Sequence, residues 1–358
     1  MRIVVFGLAV SSSWGNGHAA LWRGLIGALH ADGHHVTFFE RDVPYYAEHR
    51  DLAELPGGGE LALYREWDPA RARLAADAAD VVMVTSYCPD ALAATALALG
   101  SRAALRCFYD LDSPVTLARL AAGEPVGYIG PAGLAGFDLV LSYAGGPALD
   151  LLRARLGARR VAALHGSVDP AVHRPGAPAP QYRAALSYLG TYAPDRQAML
   201  ERLFVQPARA RPGARFVIGG ALYPAAFPWA GNIHFVRHLP PAEHAAFYAS
   251  SRLTLNVTRA AMAAMGWCPS GRLFEAAACG APVLTDSWDG LAAFFEPGRE
   301  ILVADTEEQA LAALDLSDEA LRRVAERARE RTLAEHTAAR RARQMVAAFE
   351  AAAAREAA

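Results

Sequence analysis

The sequence predicts an α/β protein made of two doubly wound parallel-sheet domains. Short apolar runs rich in β-branched residues alternate with stretches of helical periodicity from the first residues onward. The same alternation restarts after a proline-rich segment at 170–180. The chain of 358 residues, 53% of them apolar, is long for one core and natural for two.

In the first half, residues 3–7 form an all-apolar strand, 11–17 a loop of small residues, 19–29 a helix and 34–39 a second strand. This βαβ start builds a parallel sheet. Further strands are expected at 81–85, 104–109 and 139–142, with helices at 92–99 and 148–155. In the second half a strand at 185–189 runs into a glycine loop and a helix from about Arg196. Strands at 215–218, 233–235 and 253–257 then alternate with helices at about 242–249 and 271–278, and helices at 307–314 and 318–350 close the chain.

Composition excludes several functions. The net charge of −2, from 35 basic and 37 acidic residues, does not suggest nucleic acid as a partner. No apolar run approaches the ~20 residues that cross a bilayer, and the N-terminus reads as a strand without a cleavage pattern, so a cytoplasmic protein with no transmembrane segment is expected. Cysteines at 88, 107, 268 and 279 lack metal-ligand spacing; neither a metal nor a cofactor is expected. No lysine occurs anywhere, which excludes a lysine Schiff base and a P-loop. Arginine must therefore neutralise any phosphate, a task that suits its planar fork.

The most informative stretch is 269–286, PSGRLFEAAACGAPVLTD. Ser270 and Gly271 start a helix whose free amides attract phosphate, Arg272 lies in its first turn, and Glu275, three residues on, shares nearly the same face. A run of alanines lets the helix pack close to a sheet before Cys279 and Gly280 end it. This segment resembles the signature of the group 1 glycosyltransferases, above all their spore maturation protein CgeB-like relatives. Residues 289–303 continue the likeness.

The resemblance implies the GT-B fold, two Rossmann-like domains facing across a cleft with a C-terminal helix crossing back. It implies an acceptor-side domain over 1–170, a linker over 171–182, a nucleotide-sugar domain over 183–335 and a final helix over 336–358. It also implies transfer of a sugar, without a metal, from a nucleotide diphosphate donor to an unidentified acceptor. Arg272 would face the pyrophosphate and Glu275 the ribose. Two departures stand out: Trp267 and Ala293 occupy positions where many members carry glutamates near the sugar.

Other candidates follow from position in the chain. Gly190 and Thr191, with Arg196 in the next helical turn, and Gly219 and Gly220 after the next strand allow backbone to approach phosphate, base or ribose, although a plain strand-to-helix turn explains any one of them. Asn256, Thr258 and Arg259 end the strand before the signature helix, and Arg259 is a second phosphate candidate.

In the first half, Asp110 and Asp112 leave a strand two residues apart, as a general base or a sugar contact. The plainer reading has Asp112 or Ser113 cap the next helix. The Asp-x-Asp spelling also raises a metal-dependent transferase of single-domain type, against which the two similar halves speak. The loop holding Trp14, Gly15, Asn16, Gly17 and His18 is, by resemblance, on the acceptor and sugar side, with His18 touching acceptor or donor unless it only caps its helix.

Gly15 to Ala20 also fits Gly-x-Gly-x-x-Ala, with Glu40 where a ribose carboxylate would stand, so a nicotinamide-dependent oxidoreductase is a rival reading. Seven residues between Gly7 and Gly15 make the turn too long for it. The residues are also compatible with a GT-B-fold nucleotide-sugar epimerase and with an inactive carbohydrate-binding relative.

Overall fold

The computed structural model describes residues 1–354, which form two compact units, Met1–Gly166 with the segment from Ala338 onward, and Ser167–Thr337. The first unit holds a seven-stranded parallel sheet of β1 (Arg2–Phe6), β2 (His35–Arg41), β3 (Glu60–Tyr64), β4 (Val81–Thr85), β5 (Leu105–Asp110), β6 (Leu139–Ser142) and β7 (Val161–Ala163). Their order across the sheet is β3-β2-β1-β4-β5-β6-β7. The second unit holds β8 (Ala184–Leu189), β9 (Phe216–Gly220), β10 (Ile233–Arg237), β11 (Ser251–Asn256), β12 (Val283–Thr285) and β13 (Leu302–Val303), ordered β10-β9-β8-β11-β12-β13.

Both sheets thus follow the doubly wound order 3-2-1-4-5-6, the first with one strand added. In each, chain direction across the sheet reverses beside the first strand, between β1 and β4 and between β8 and β11. That reversal opens a crevice at the carboxyl ends of those strands, because the flanking helices leave to opposite faces.

Strands buried on both faces are almost wholly apolar, which is why β1, β4, β6 and β8 stand out in the sequence. Edge strands do not follow that rule. In β3 only Ala62 is buried, and β7 is three half-buried residues, so neither stands out from its surroundings in the sequence.

The expected closing helix over 318–350 is two helices, Asp318–Glu335 and Ala338–Ala354, broken at His336 and Thr337. The break has a cause: Val168 donates its N–H to the His336 carbonyl, and Val168 and Thr337 form a parallel bridge. Residues 171–182 lie within the second unit. The helical stretch beginning at Pro194 contains a π-turn at Glu201–Val205 just before Pro207, whose missing N–H cannot bond the carbonyl four residues back.

The last helix packs on the helix Gly17–Ala31 of the first unit, burying Ala342, Met345, Phe349 and Ala352 in the core with Trp22, Leu25 and Leu29. No helix among the described residues is long and apolar enough to cross a membrane. Truncating Phe349 to Ala, which empties a fully buried ring position, should destabilise the protein by about 3–5 kcal/mol. Urea unfolding followed by far-UV circular dichroism checks this; a loss below about 1 kcal/mol would mean that the last helix is not held by its core contacts.

Candidate functional site

The richest cluster in the second unit surrounds the helix Gly271–Ala278. Leu273, Phe274 and Ala276 to Ala278 are buried against β11 and β12, and the small residues allow that close approach. The helix ends in a Schellman motif: Gly280, at φ +79°, donates to the Ala277 carbonyl and Ala281 to that of Ala276. At its other end Ser270 takes the N-cap position without a side-chain capping bond, so the first-turn amides keep their capacity to bind an anion.

Arg272 and Glu275 stand one turn apart, yet they do not pair. Among the described residues the Arg272 guanidinium makes no hydrogen bond or ion pair, and its Nη1 is buried without a partner. It lies over the Tyr188 ring at 5.9 Å, a cation–π contact. Burial opposes its charge, but Tyr188, Tyr248 and Glu275 around it outweigh that effect and raise its pKa above the ordinary value. The Glu275 carboxylate also makes no hydrogen bond or ion pair among the described residues; it lies toward His244 and the buried, unpartnered Tyr248 hydroxyl.

Two further guanidinium groups lie close to Arg272. Arg196 donates to the Thr191 carbonyl at 3.3 Å and keeps a buried Nε without a partner. Its pKa is lowered, first by burial and then by the charges of Arg272 and Arg259. Arg259 reaches Asp195 at 3.4 Å. Three cations against Asp195 and Glu275 leave an excess of positive charge that an anion would relieve.

The remaining predicted residues of this unit take various roles. Gly190 and Gly220 form the turns after β8 and β9; a Cβ on Gly220 would come within 2.1 Å of the Gly190 carbonyl oxygen, so only glycine fits. Gly219 packs at the end of β9 against Leu189 and Phe247. Thr258 gives both its N–H and its hydroxyl to buried Asp286, at 2.8 and 2.9 Å, and Asn256 donates to Thr285 at 3.0 Å. Those side chains tie β11 to β12, and the Asn256 side-chain carbonyl oxygen is left without a partner. Trp267, at φ +44°, lies over Gly290, where a Cβ would come within 2.6 Å of the indole.

In the first unit a second cluster sits at the ends of β4 and β5. Asp110, fully buried, accepts from the Asp112 amide and the Thr116 hydroxyl, both at 3.1 Å, while its Oδ2 has no partner. Burial, helped by the charge of Asp112, pushes its pKa up to about 7 against the pull of those hydrogen bonds. Asp112 takes the N-cap position of the helix Ser113–Ala121 but makes no side-chain cap; its carboxylate accepts from the Tyr87 hydroxyl at 2.8 Å. The capping reading of Asp112 therefore fails.

Tyr87 gives no signal in the sequence. It holds the left-handed conformation at φ +63°, a strain that side chains seldom accept without purpose. The His18 ring centroid lies 5.8 Å from that of Tyr87, and burial lowers the pKa of His18 against the opposing charge of Asp112.

The neighbouring loop is pinned internally. Asn16 caps the helix through the His18 amide and donates to the Ala9 and Ser12 carbonyls; Gly15 turns at φ +59° beside Tyr45, Gly17 opens the helix, and Trp14 stacks on His49 at 4.1 Å. Glu40, the candidate ribose ligand for a dinucleotide, is fully buried and accepts from the amides of Val10 and Ser11 at 2.7 and 2.9 Å. That carboxylate is committed to holding the loop.

Residues 196–347 match the Glycosyl transferase-like family. Among solved structures, sucrose-phosphate synthase from Thermosynechococcus elongatus is similar at 14% identity and a TM-score of 0.68, over 98% of this chain and 98% of that one. HepE from Anabaena, in complex with UDP-glucose, is similar at 13% identity and a TM-score of 0.68, over 98% and 100%. An α-glucosyltransferase in complex with UDP and a 13-mer DNA reaches a TM-score of 0.70 at 13% identity, over 98% and 99%. The fold is GT-B. No curated protein matches the chain in sequence.

The GT-B architecture accounts for two Rossmann-like sheets, and within each sheet the clusters above lie at the carboxyl ends of strands at or next to the reversal. The Asp110 environment yields a test. Its carboxyl pKa is raised on folding, so the native state is penalised once pH exceeds the unfolded value near 4, and the penalty grows to its full size above pH 7. Asp110→Asn, which keeps the acceptor oxygen, should therefore be more stable than the parent by a few kcal/mol at pH 8 and equal to it at pH 4. Urea unfolding at both pH values decides; a variant less stable at pH 8 would contradict the assigned charge penalty.

Proposed function

We propose that this protein is a glycosyltransferase that moves a sugar from a nucleotide diphosphate donor to a hydroxyl acceptor without a metal at the phosphates. The observation that carries the proposal is the unpaired Arg272 guanidinium in the first turn of an uncapped helix, with Arg196 and Arg259 beside it. A buried guanidinium donor with no acceptor of its own is left open to a ligand that brings one. The structural likeness to UDP-glucose-bound HepE and the family match over 196–347 support a nucleotide sugar as that ligand, with UDP the first candidate. The Asn256, Thr258 and Arg259 block leads us to place the chain near the CgeB-like branch of the group 1 enzymes.

In the reaction proposed, the bond from the anomeric carbon to the β-phosphate oxygen breaks as the bond to the acceptor oxygen forms. The nucleoside diphosphate leaves with the electron pair, and its new charge is met by Arg272, Arg196, Arg259 and the helix amides, which are positioned beforehand. Glu275 accepts from the ribose hydroxyls. On the first unit, Asp110 has a pKa matched to accepting the acceptor's proton near neutral pH, with Asp112, Tyr87 and His18 shaping its surroundings. Four buried free cysteines suit the cytoplasm as the place of action. The nicotinamide alternative loses its ribose ligand with Glu40. An epimerase would convert the donor with no acceptor present, and product analysis of donor alone separates it.

Arg272→Ala should lower turnover by about 10²-fold or more, with the circular dichroism spectrum unchanged. Glu275→Gln should weaken nucleoside diphosphate binding, read by calorimetry after a thermal-shift panel of uridine, guanosine, thymidine and adenosine diphosphates has named the base. Normal turnover in the first variant removes Arg272 from the mechanism, and unchanged affinity in the second removes Glu275 from the ribose.

A further inference from the structure

The second unit contains a group of metal-ligating side chains that the transfer reaction does not use as a set. His173 is buried in the segment ahead of β8, His244 opens the helix His244–Ala249, and Glu275 comes from the signature helix. One ligand atom from each lies within 4.8 Å of the other two, and no other such group of three or more occurs among the described residues. His173 Nε2 and His244 Nδ1 are 3.3 Å apart. That separation is also the one two nitrogens adopt on a tetrahedral zinc ion, where Zn–N distances of ~2.0–2.1 Å place them about 3.3–3.4 Å from each other.

We propose that His173, His244 and Glu275 form a zinc-type transition-metal site, with solvent completing the coordination. The His244 ring hydrogen-bonds the Leu239 backbone, a contact of the kind that orients a ligating histidine, and the Nδ1 of His173 is buried without a partner. The His173 amide donates to the Asp169 carbonyl at 2.8 Å, and Gly176 packs against Ala245, where a Cβ would come within 3.1 Å of the Ala245 Cβ. The Glu275 carboxylate, with no hydrogen bond or ion pair among the described residues, is the third ligand and turns to close on the ion. Two histidines and one carboxylate with an open position suit zinc by donor type. The positive charge of nearby Arg272 works against a dication, so binding of about micromolar strength is expected rather than that of a structural zinc.

The site shares Glu275 with the proposed ribose contact, so an ion held there and a nucleotide compete for one carboxylate. That consequence rests on the nucleotide reading, whereas capture of the ion does not. The test is therefore made without nucleotide: the full-length chain is stripped with chelator and dialysed against Zn(II), and bound zinc is counted by atomic absorption. One zinc per chain is expected, lost in both His173→Ala and His244→Ala, and Co(II) in its place should give the visible absorption of a tetrahedral site. No bound zinc, or zinc retained in full by both variants, overturns the proposal. Should circular dichroism show either histidine variant unfolded, Glu275→Gln is read in the same way, and full retention by it counts against the site.

Discussion

The separation of two opposite charges on one helical turn underlies the chemistry of the second unit. An arginine and a glutamate three residues apart on an exposed helix would meet as an ordinary ion pair and contribute little. Here Arg272 lies over the face of Tyr188 and Glu275 lies toward His244 and Tyr248. The ring stabilises the cation without cancelling its charge. Both groups remain available, one for an anion and the other for hydroxyls or a cation.

That arrangement depends on the sheet beneath it. Tyr188 is the penultimate residue of β8; buried Ser187 donates to Thr254 at 3.0 Å across the reversal from β8 to β11, and Asn256 and Thr258 bind β11 on to β12 through Thr285 and Asp286. The helix is pressed to that sheet by alanines and ended by Gly280. A precise anion site needs such a frame, since an arginine with its full rotamer freedom would lose entropy on every binding event. The first unit repeats the topology with other chemistry: at the carboxyl ends of β4 and β5, beside its reversal, stand a strained tyrosine, an aspartate with a raised pKa and a second aspartate.

Much of this was legible in the residues. The helix at 271–278 has the expected bounds, because glycine turns and an alanine run leave little choice of register. Edge strands β3 and β7 were not visible, since half-exposed residues carry no continuous apolar run. The break at His336 was hidden for a related reason: a helix of good formers is interrupted by a bridge to Val168, far away in sequence. Tyr87 and Tyr188 also gave no signal, as an aromatic within or after an apolar strand reads as core.

By itself the sequence determined the two doubly wound halves, the absence of lysine that leaves phosphate to arginine, and the placing of Arg272 and Glu275 on one helix. These rest on local periodicity and residue type. Only the tertiary structure decided which groups stay unpaired. Arg259 meets Asp195, Thr258 turns to Asp286 and Glu40 to the Val10 and Ser11 amides, whereas Arg272 and Glu275 make no ion pair among the described residues. Availability of a charged group is a property of its neighbours in space, and those neighbours are set by long-range packing that no local pattern encodes.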